Sequence, residues 1–207
     1  MLQSAAVMIT YIGRNSPIQE LSKKFFPLCD REEKIDFSVN QELPKNMRSI
    51  SESFDIAQGK LCMGFVTPVT LREEGFVAMQ LLNLVFGGGM TSKLFSHIRE
   101  KLSLCYAIGS GYYGSKGIVS VSAGIDFDKE QQTREEIDRQ LEAICQGEIT
   151  DEELTAAKEA LLSSLRGTHD SPGSIEGYYA TAALSGMGMT PQQYMDALQN
   201  VTREQAV

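Results

Sequence analysis

The sequence predicts an α+β fold: a two-layer sandwich in which a mixed or antiparallel sheet carries helices mainly on one face. Three observations carry that expectation. Two adjacent strand-like runs, Leu104–Tyr113 and Gly117–Ile125, are separated by a turn containing Gly114 and Gly117, which reads as a β-hairpin. The stretch after Ile125 is helical throughout, with apolar residues at helical spacing. The regular strand–helix alternation of a doubly wound sheet is missing, which leaves a hairpin-containing sheet covered by segregated helices.

The elements follow in order. Val7, Ile9 and Tyr11 alternate within Ala5–Ile12, the pattern of a strand. Ser16 and Pro17 open a helix, with Pro at its first position, that ends near Phe26-Pro27. Residues 28–53 are polar and mixed, suited to a surface linker or an edge hairpin. KLCMGFVTPV, beginning at Lys60, reads as a buried strand ending at Pro68. From Arg72 to Phe86 a helix carries Phe76, Val77, Leu81, Leu84 and Val85 on one broad stripe. Gly87, Gly88 and Gly89 break the chain and form a structural hinge. A second helix starts with Thr91 as its cap and turns Leu94, Phe95, Ile98 and Leu102 inward.

Beyond the hairpin, Asp126 or Asp128 starts a helix with Ile137, Leu141 and Ile144 on its buried face, stopped by Gly147. Thr150 and Glu153 form a capping box for the next helix, which points Leu154, Ala157, Leu161 and Leu165 inward. Ser171-Pro172 and Thr190-Pro191 start two more by cap plus proline. Thr202 and Gln205 have the spacing of a further box, two residues before Val207. A helix ending within its first turn has not recovered its nucleation cost, so the chain is expected to be a piece of a longer one.

Composition narrows the function classes. At 207 residues the chain suffices for one large or two small domains, with the apolar content of a packed core. A net charge of −8 argues against a nucleic-acid partner, which needs clustered Lys and Arg. Lys23 and Lys24 read as a solvated helix face. No apolar run reaches the roughly 18–20 residues of a membrane span, and the N-terminal apolar run lacks a basic leader. Cys29, Cys62, Cys105 and Cys145 are dispersed, with no C-x-x-C pair. Three of them lie in apolar runs, where a free thiol acts as a small hydrophobe; this suits a reducing cytoplasm.

Candidate chemistry is sparse. Hydrolytic zinc chemistry needs about three protein ligands plus a base, yet neither His97 nor His169 belongs to an H-E-x-x-H or H-x-x-E-H arrangement. No metal site and no catalytic residue are therefore expected within this chain alone. The triglycine followed by Thr91, Ser92 and Lys93 departs from a phosphate loop, because the hydroxyls precede the lysine and no glycine abuts it.

The informative stretch is FGGGMTSKLFSHIREKLSLCY, Phe86–Tyr106. It resembles the second-domain signature of the pitrilysin or insulinase family of inverted zincins, which includes the mitochondrial processing peptidases. The usual form is close to L-G-G-G-M-S-S-R-L-F followed by R-E-K-x-G-L-A-Y. The likeness extends through KLCMGF, GIVSVSAGID and GEITDEELTAAKEAL, from Gly59 to about Ser171. It implies the non-zinc, inactive domain of a zinc peptidase, with residues 59–207 as its core and 1–58 as a leading strand–helix and linker of the same domain. SPGSIE, Ser171–Glu176, is similar to bacterial members that act as non-catalytic companions.

In that family one domain supplies zinc, and the domain like this one supplies an Arg and a Tyr that hold the substrate backbone. Arg99 and Tyr106 match those positions. The resemblance thus implies peptide or unfolded-protein substrates, and zinc on a missing N-terminal domain or on a zinc-motif paralogue. A homodimer is a further possible assembly. Ser103 stands where the family usually has Gly, and Cys105 where it usually has Ala. A positive φ at Ser103 would cost about 1 kcal/mol. Two alternatives stay open from the residues: Arg99 pairs with Glu100 or Asp126 while Tyr106 packs in the sheet, and the whole chain is an inactive scaffold or partner subunit.

Overall fold

A computed structural model of the protein describes residues 9–14, 17–25 and 46–206. In chain order it contains α1 (Ile18–Phe25), β1 (Gly59–Val66), α2 (Phe76–Phe86), a π-helix (Leu94–Lys101), β2 (Cys105–Tyr113), β3 (Ile118–Ile125), α3 (Glu130–Cys145), α4 (Asp151–Gly167), α5 (Pro172–Ser185) and α6 (Pro191–Asn200). The expected strand at Ala5–Ile12 lies outside the described residues as far as position 8. Ile9–Ile12 form no strand, and Thr10 Oγ1 donates to Glu176 on α5 at 2.8 Å instead. The expected linker lies outside the described residues up to 45, and residues 46–53 contain neither helix nor strand.

The three strands form an antiparallel sheet in the order β1-β3-β2. On the central strand Val119, Val121, Ala123 and Ile125 are buried, while Ser120, Ser122 and Gly124 alternate to the other face. This is the period of two that a pleated strand imposes. The buried face is covered by α2 and the π-helix, and α3, α4 and α6 pack behind these. The helices thus gather on one side of the sheet. Phe86, Leu81, Leu94, Ile98, Ile137, Ile144 and Leu198 are fully enclosed. Edge-on aromatic contacts join Phe65 to Phe86 and Phe76 to Tyr194.

Alternation also corrects the expectation for the cysteines. Cys62 lies on the outward register of β1, opposite Ser122, and is exposed, as is Cys145; only Cys105 is buried among those described, and Cys29 lies outside the described residues.

Caps mark the helices much as the sequence indicates. Thr150 and Glu153 form the reciprocal box of α4, Ser171 with Pro172 opens α5, and Thr190 with Gln193 boxes α6. Thr202 and Gln205 exchange the same pair of bonds, around a turn. Two starts differ. The helix expected from Arg72 begins at Phe76, because residues 72–75 are held as a turn: Arg72 N–H donates to Thr70 Oγ1 and Phe76 N–H to Glu73 O. After β3, Asp126 leads a 3-10 turn over Phe127–Lys129 before α3 begins at Glu130.

Gly87 and Gly88 sit where backbones meet. Ser110 N–H of β2 donates to Gly87 O at 2.8 Å, and a Cβ at Gly87 would lie 2.7 Å from Leu94 Cδ1 and 2.8 Å from Ser110 N. A Cβ at Gly88 would come within 2.9 Å of Leu84 Cα, whereas Gly89 has open space. Gly87→Ala is expected to lower unfolding free energy by about 1–3 kcal/mol through overpacking. Gly89→Ala should stay within about 0.5 kcal/mol of the wild type. Urea unfolding midpoints of the two variants check both.

Candidate functional site

The stretch between the triglycine and Tyr106 is locally irregular at every step. Ser92, not Thr91, supplies the helix-start hydroxyl: its Oγ donates to Gly89 O at 2.6 Å and receives Phe95 N–H at 3.4 Å. The helix that follows is wound as a π-helix throughout Leu94–Lys101. Such winding is rare and concentrates at functional sites. It also explains a departure from the expected inner face. Leu94 and Ile98 are buried and Phe95 is partly so, but the widened turn swings Leu102 out to 42% exposure.

At its start the π-helix is tied down by Lys93, a buried lysine whose Nζ lies 3.1 Å from Glu153. The other oxygen of that carboxylate accepts Thr150 N–H, so one side chain serves both the capping box of α4 and the ion pair.

Arg99 sits on the last turn of the π-helix. Its guanidinium lies over the Phe95 ring, 4.7 Å from the centroid, and 3.6 Å from Glu100 Oε1. At that distance and exposure the ion pair is worth little, whereas the ring orients the fork. Among the described residues no hydrogen bond uses the Arg99 N–H groups.

Tyr106 follows seven residues later on β2. Cys105 pairs with Ile125 and Ala107 with Gly124, so Tyr106 is the extra residue of a β-bulge. A bulge re-aims the side chain it carries. Cys105 stays in the core and Tyr106 is 72% exposed, its ring lying over Gly124, and the extra residue leaves Ala107 exposed as well. Its hydroxyl likewise has no hydrogen-bond partner among the described residues.

Between them the chain reverses at Ser103, whose φ of 51° is left-handed, a conformation disfavoured for a residue with a Cβ. Leu104 N–H returns to Ile98 O at 3.0 Å, closing the helix end around this residue. Lys129 Nζ donates to Ser103 O at 3.2 Å and pairs with Asp126 at 2.9 Å. Burial pushes the Cys105 thiol up, partly opposed by the charges of Arg99 and Lys129, which therefore act within electrostatic reach of one spot.

Phe95 and Lys129 escaped the sequence reading. The spacing of four between Phe95 and Arg99 is the local signal for their contact, although Phe95 also fits the inner face; for Lys129, 26 residues beyond Ser103, no local pattern exists. Behind Arg99, His97 faces α3. Burial lowers its pKa from the ordinary 6.5, helped by Lys101, Lys93 and Arg139 and opposed by Glu136. For Glu136, burial pushes the carboxyl up, but hydrogen bonds from Arg139 and Gln140, with the charges of Arg139 and His97, leave it below the ordinary 4.5.

These residues do not fit a zinc ion. His97 and His169 lie on separate elements, the π-helix and the 3-10 turn Thr168–Asp170, and among the described residues no three of His, Cys, Asp and Glu gather. What the geometry offers is a pair of hydrogen-bond donors on an irregular turn.

The family described as "Peptidase M16 inactive domain" matches residues 3–161. The chain belongs to the peptidase M16 inactive-domain family. The "Probable inactive metalloprotease YmfF" of Bacillus subtilis (strain 168) is 24% identical over 193 residues, 93% of this chain and 45% of that protein. An "Uncharacterized zinc protease" of Rickettsia felis is 30% identical over 156 residues, 74% of this chain and 38% of that protein. A conserved protein from Enterococcus faecalis V583, known as a crystal structure, superposes with a TM-score of 0.80 at 26% identity, covering 89% of this chain and 45% of that one. This M16 inactive domain therefore spans less than half the length of these relatives. Among its described residues no helix is long and apolar enough to cross a membrane.

Two of the shifted groups of the M16 domain, His97 and Glu136, give its stability a pH signature. His97 is held below 6.5 when folded, so as pH falls beneath 6.5 the unfolded chain gains a proton that the folded chain resists. Stability is expected to fall through that range and then further below about 4.5, as Glu136 loses the ionised form that the fold favours. Urea midpoints measured from pH 7.5 downward should show both legs, and His97→Gln should flatten the first and, by removing one of the charges that favour ionised Glu136, make the second shallower.

Proposed function

We propose that this domain is the substrate-binding, non-zinc half of a zinc peptidase, and that Arg99 and Tyr106 hold the backbone of a peptide or unfolded protein. The observation that carries this is the pair itself. Two strong donors stand exposed on either side of one turn, without hydrogen-bond partners among the described residues. A guanidinium and a phenol both donate well to a peptide carbonyl, and donors placed where an oxyanion develops can lower a hydrolytic barrier by a few kcal/mol. Zinc would then lie on another domain, either in the half that the longer relatives carry beyond this match or in a zinc-motif paralogue. The dispersed cysteines support placing the protein in a reducing, cytoplasmic compartment.

A second reading, a catalytically inactive partner subunit that binds peptide or protein, is supported by the similarity to the "Probable inactive metalloprotease YmfF" of Bacillus subtilis. Assays of the full-length protein, with and without a zinc-motif paralogue from the same genome, decide between them. A quenched peptide substrate and a chelator control are used. The catalytic reading expects chelator-sensitive cleavage that drops about tenfold or more in Arg99→Ala and in Tyr106→Phe. Cleavage indifferent to both substitutions would overturn the role of the pair. Peptide binding that depends on the pair, without cleavage in any pairing, would leave the partner subunit.

A further inference from the structure

The turn that joins the Arg99 helix to the Tyr106 strand holds its shape against the preference of its own residue. Ser103 is the one non-glycine residue with positive φ among those described. Left-handed backbone is disfavoured for any residue with a Cβ, so such a turn persists only when its surroundings hold it. Two backbone bonds contribute, Leu102 N–H to His97 O and Leu104 N–H to Ile98 O, each at 3.0 Å. The first closes the helix end, and the second runs from Leu104, on the strand side, back across the turn to the helix; neither engages the carbonyl of Ser103 itself.

A third attachment, on the carbonyl of the left-handed residue itself, comes from Lys129. It belongs to the 3-10 turn that leaves β3 just after Ile125, and Ile125 is the residue paired with Cys105 beside the Tyr106 bulge. Lys129 Nζ reaches Ser103 O at 3.2 Å, while Asp126 Oδ2, at 2.9 Å, keeps the ammonium in place. The Asp126–Lys129–Ser103 chain thus crosses from the ladder end that aims Tyr106 to the turn that follows Arg99.

We propose that Lys129 is a positioning residue: by holding the Ser103 carbonyl it keeps the left-handed turn closed and sets Arg99 and Tyr106 at a fixed mutual distance. The proposal rests on the reading of that pair as peptide contacts. Glycine at 103 would adopt the turn unaided, so dependence on Lys129 follows from the presence of Ser103.

The test uses the 207-residue chain labelled with 3-fluorotyrosine, with the Tyr106 resonance identified by its absence in Tyr106→Phe. Lys129→Met is expected to shift or broaden that resonance at an unchanged urea midpoint. It should also weaken binding of a fluorescein-labelled unstructured peptide by about three- to tenfold, the effect of one such hydrogen bond. Lys129→Arg should restore both, and in a Ser103→Gly background Lys129→Met should do markedly less. A Tyr106 resonance unmoved by Lys129→Met sinks the proposal, as does an equal effect in the Ser103→Gly background. If Arg99→Ala leaves peptide binding intact, the reading of the pair fails instead, and the fluorine spectra still decide whether Lys129 sets the turn.

Discussion

Burial of one face of β3 is the constraint on which the structure depends. Val119, Val121, Ala123 and Ile125 all point beneath α2 and the π-helix. A slip of one residue would exchange that row for Ser120, Ser122 and Gly124. Because β3 is the central strand, its register is passed to both neighbours. It places Leu61 and Phe65 toward the core and sends Lys60 and Cys62 outward. On β2 the same register would be carried through Tyr106 if the ladder were unbroken. Ordinary alternation already sets exposed Tyr106 beside buried Cys105; the bulge adds a second outward residue, Ala107, before Ile108 returns to the core face opposite Ala123.

The candidate site is assembled from departures from regular structure. A π-wound helix, a left-handed serine and a bulge follow one another within Leu94–Tyr106. Each is unfavourable in an isolated peptide, and strain of this kind persists only where surrounding contacts over-determine it. Those contacts are visible at both ends. The Lys93–Glu153 pair fastens the helix start to the cap of α4, and a buried pair of this kind is costly to break from one side. The close approach of Gly87 to Ser110 presses the triglycine turn onto β2. The site is therefore held by the fold rather than by its own segment.

Much of this was legible in the residues. The hairpin, the caps at Thr150, Ser171 and Thr190, and the stop after Cys145 with Gly147 at φ 82° rest on local chemistry, and local chemistry is what a sequence displays. The glycine-to-serine departure at 103 was readable only through the family resemblance, which supplies the glycine for comparison. Other features were hidden because they depend on distant partners. The choice of Ser92 over Thr91 as cap follows from where Gly89 turns. The outward Leu102 follows from the π winding. Exposure of Cys62 follows from sheet register, although its run is apolar.

By itself, then, the sequence determined the family, the α+β class and the starts of α4, α5 and α6, and it offered Arg99 and Tyr106 as candidates, since spacing, caps and motif are written within short stretches of chain. The tertiary structure decided how that pair is presented. Stacking on Phe95, the bulge opposite Ile125 and the hold of Lys129 on Ser103 join residues up to 26 positions apart. Such contacts arise only when burial of the sheet face brings those segments together, because no local pattern encodes a hydrogen bond between one loop's carbonyl and another loop's lysine.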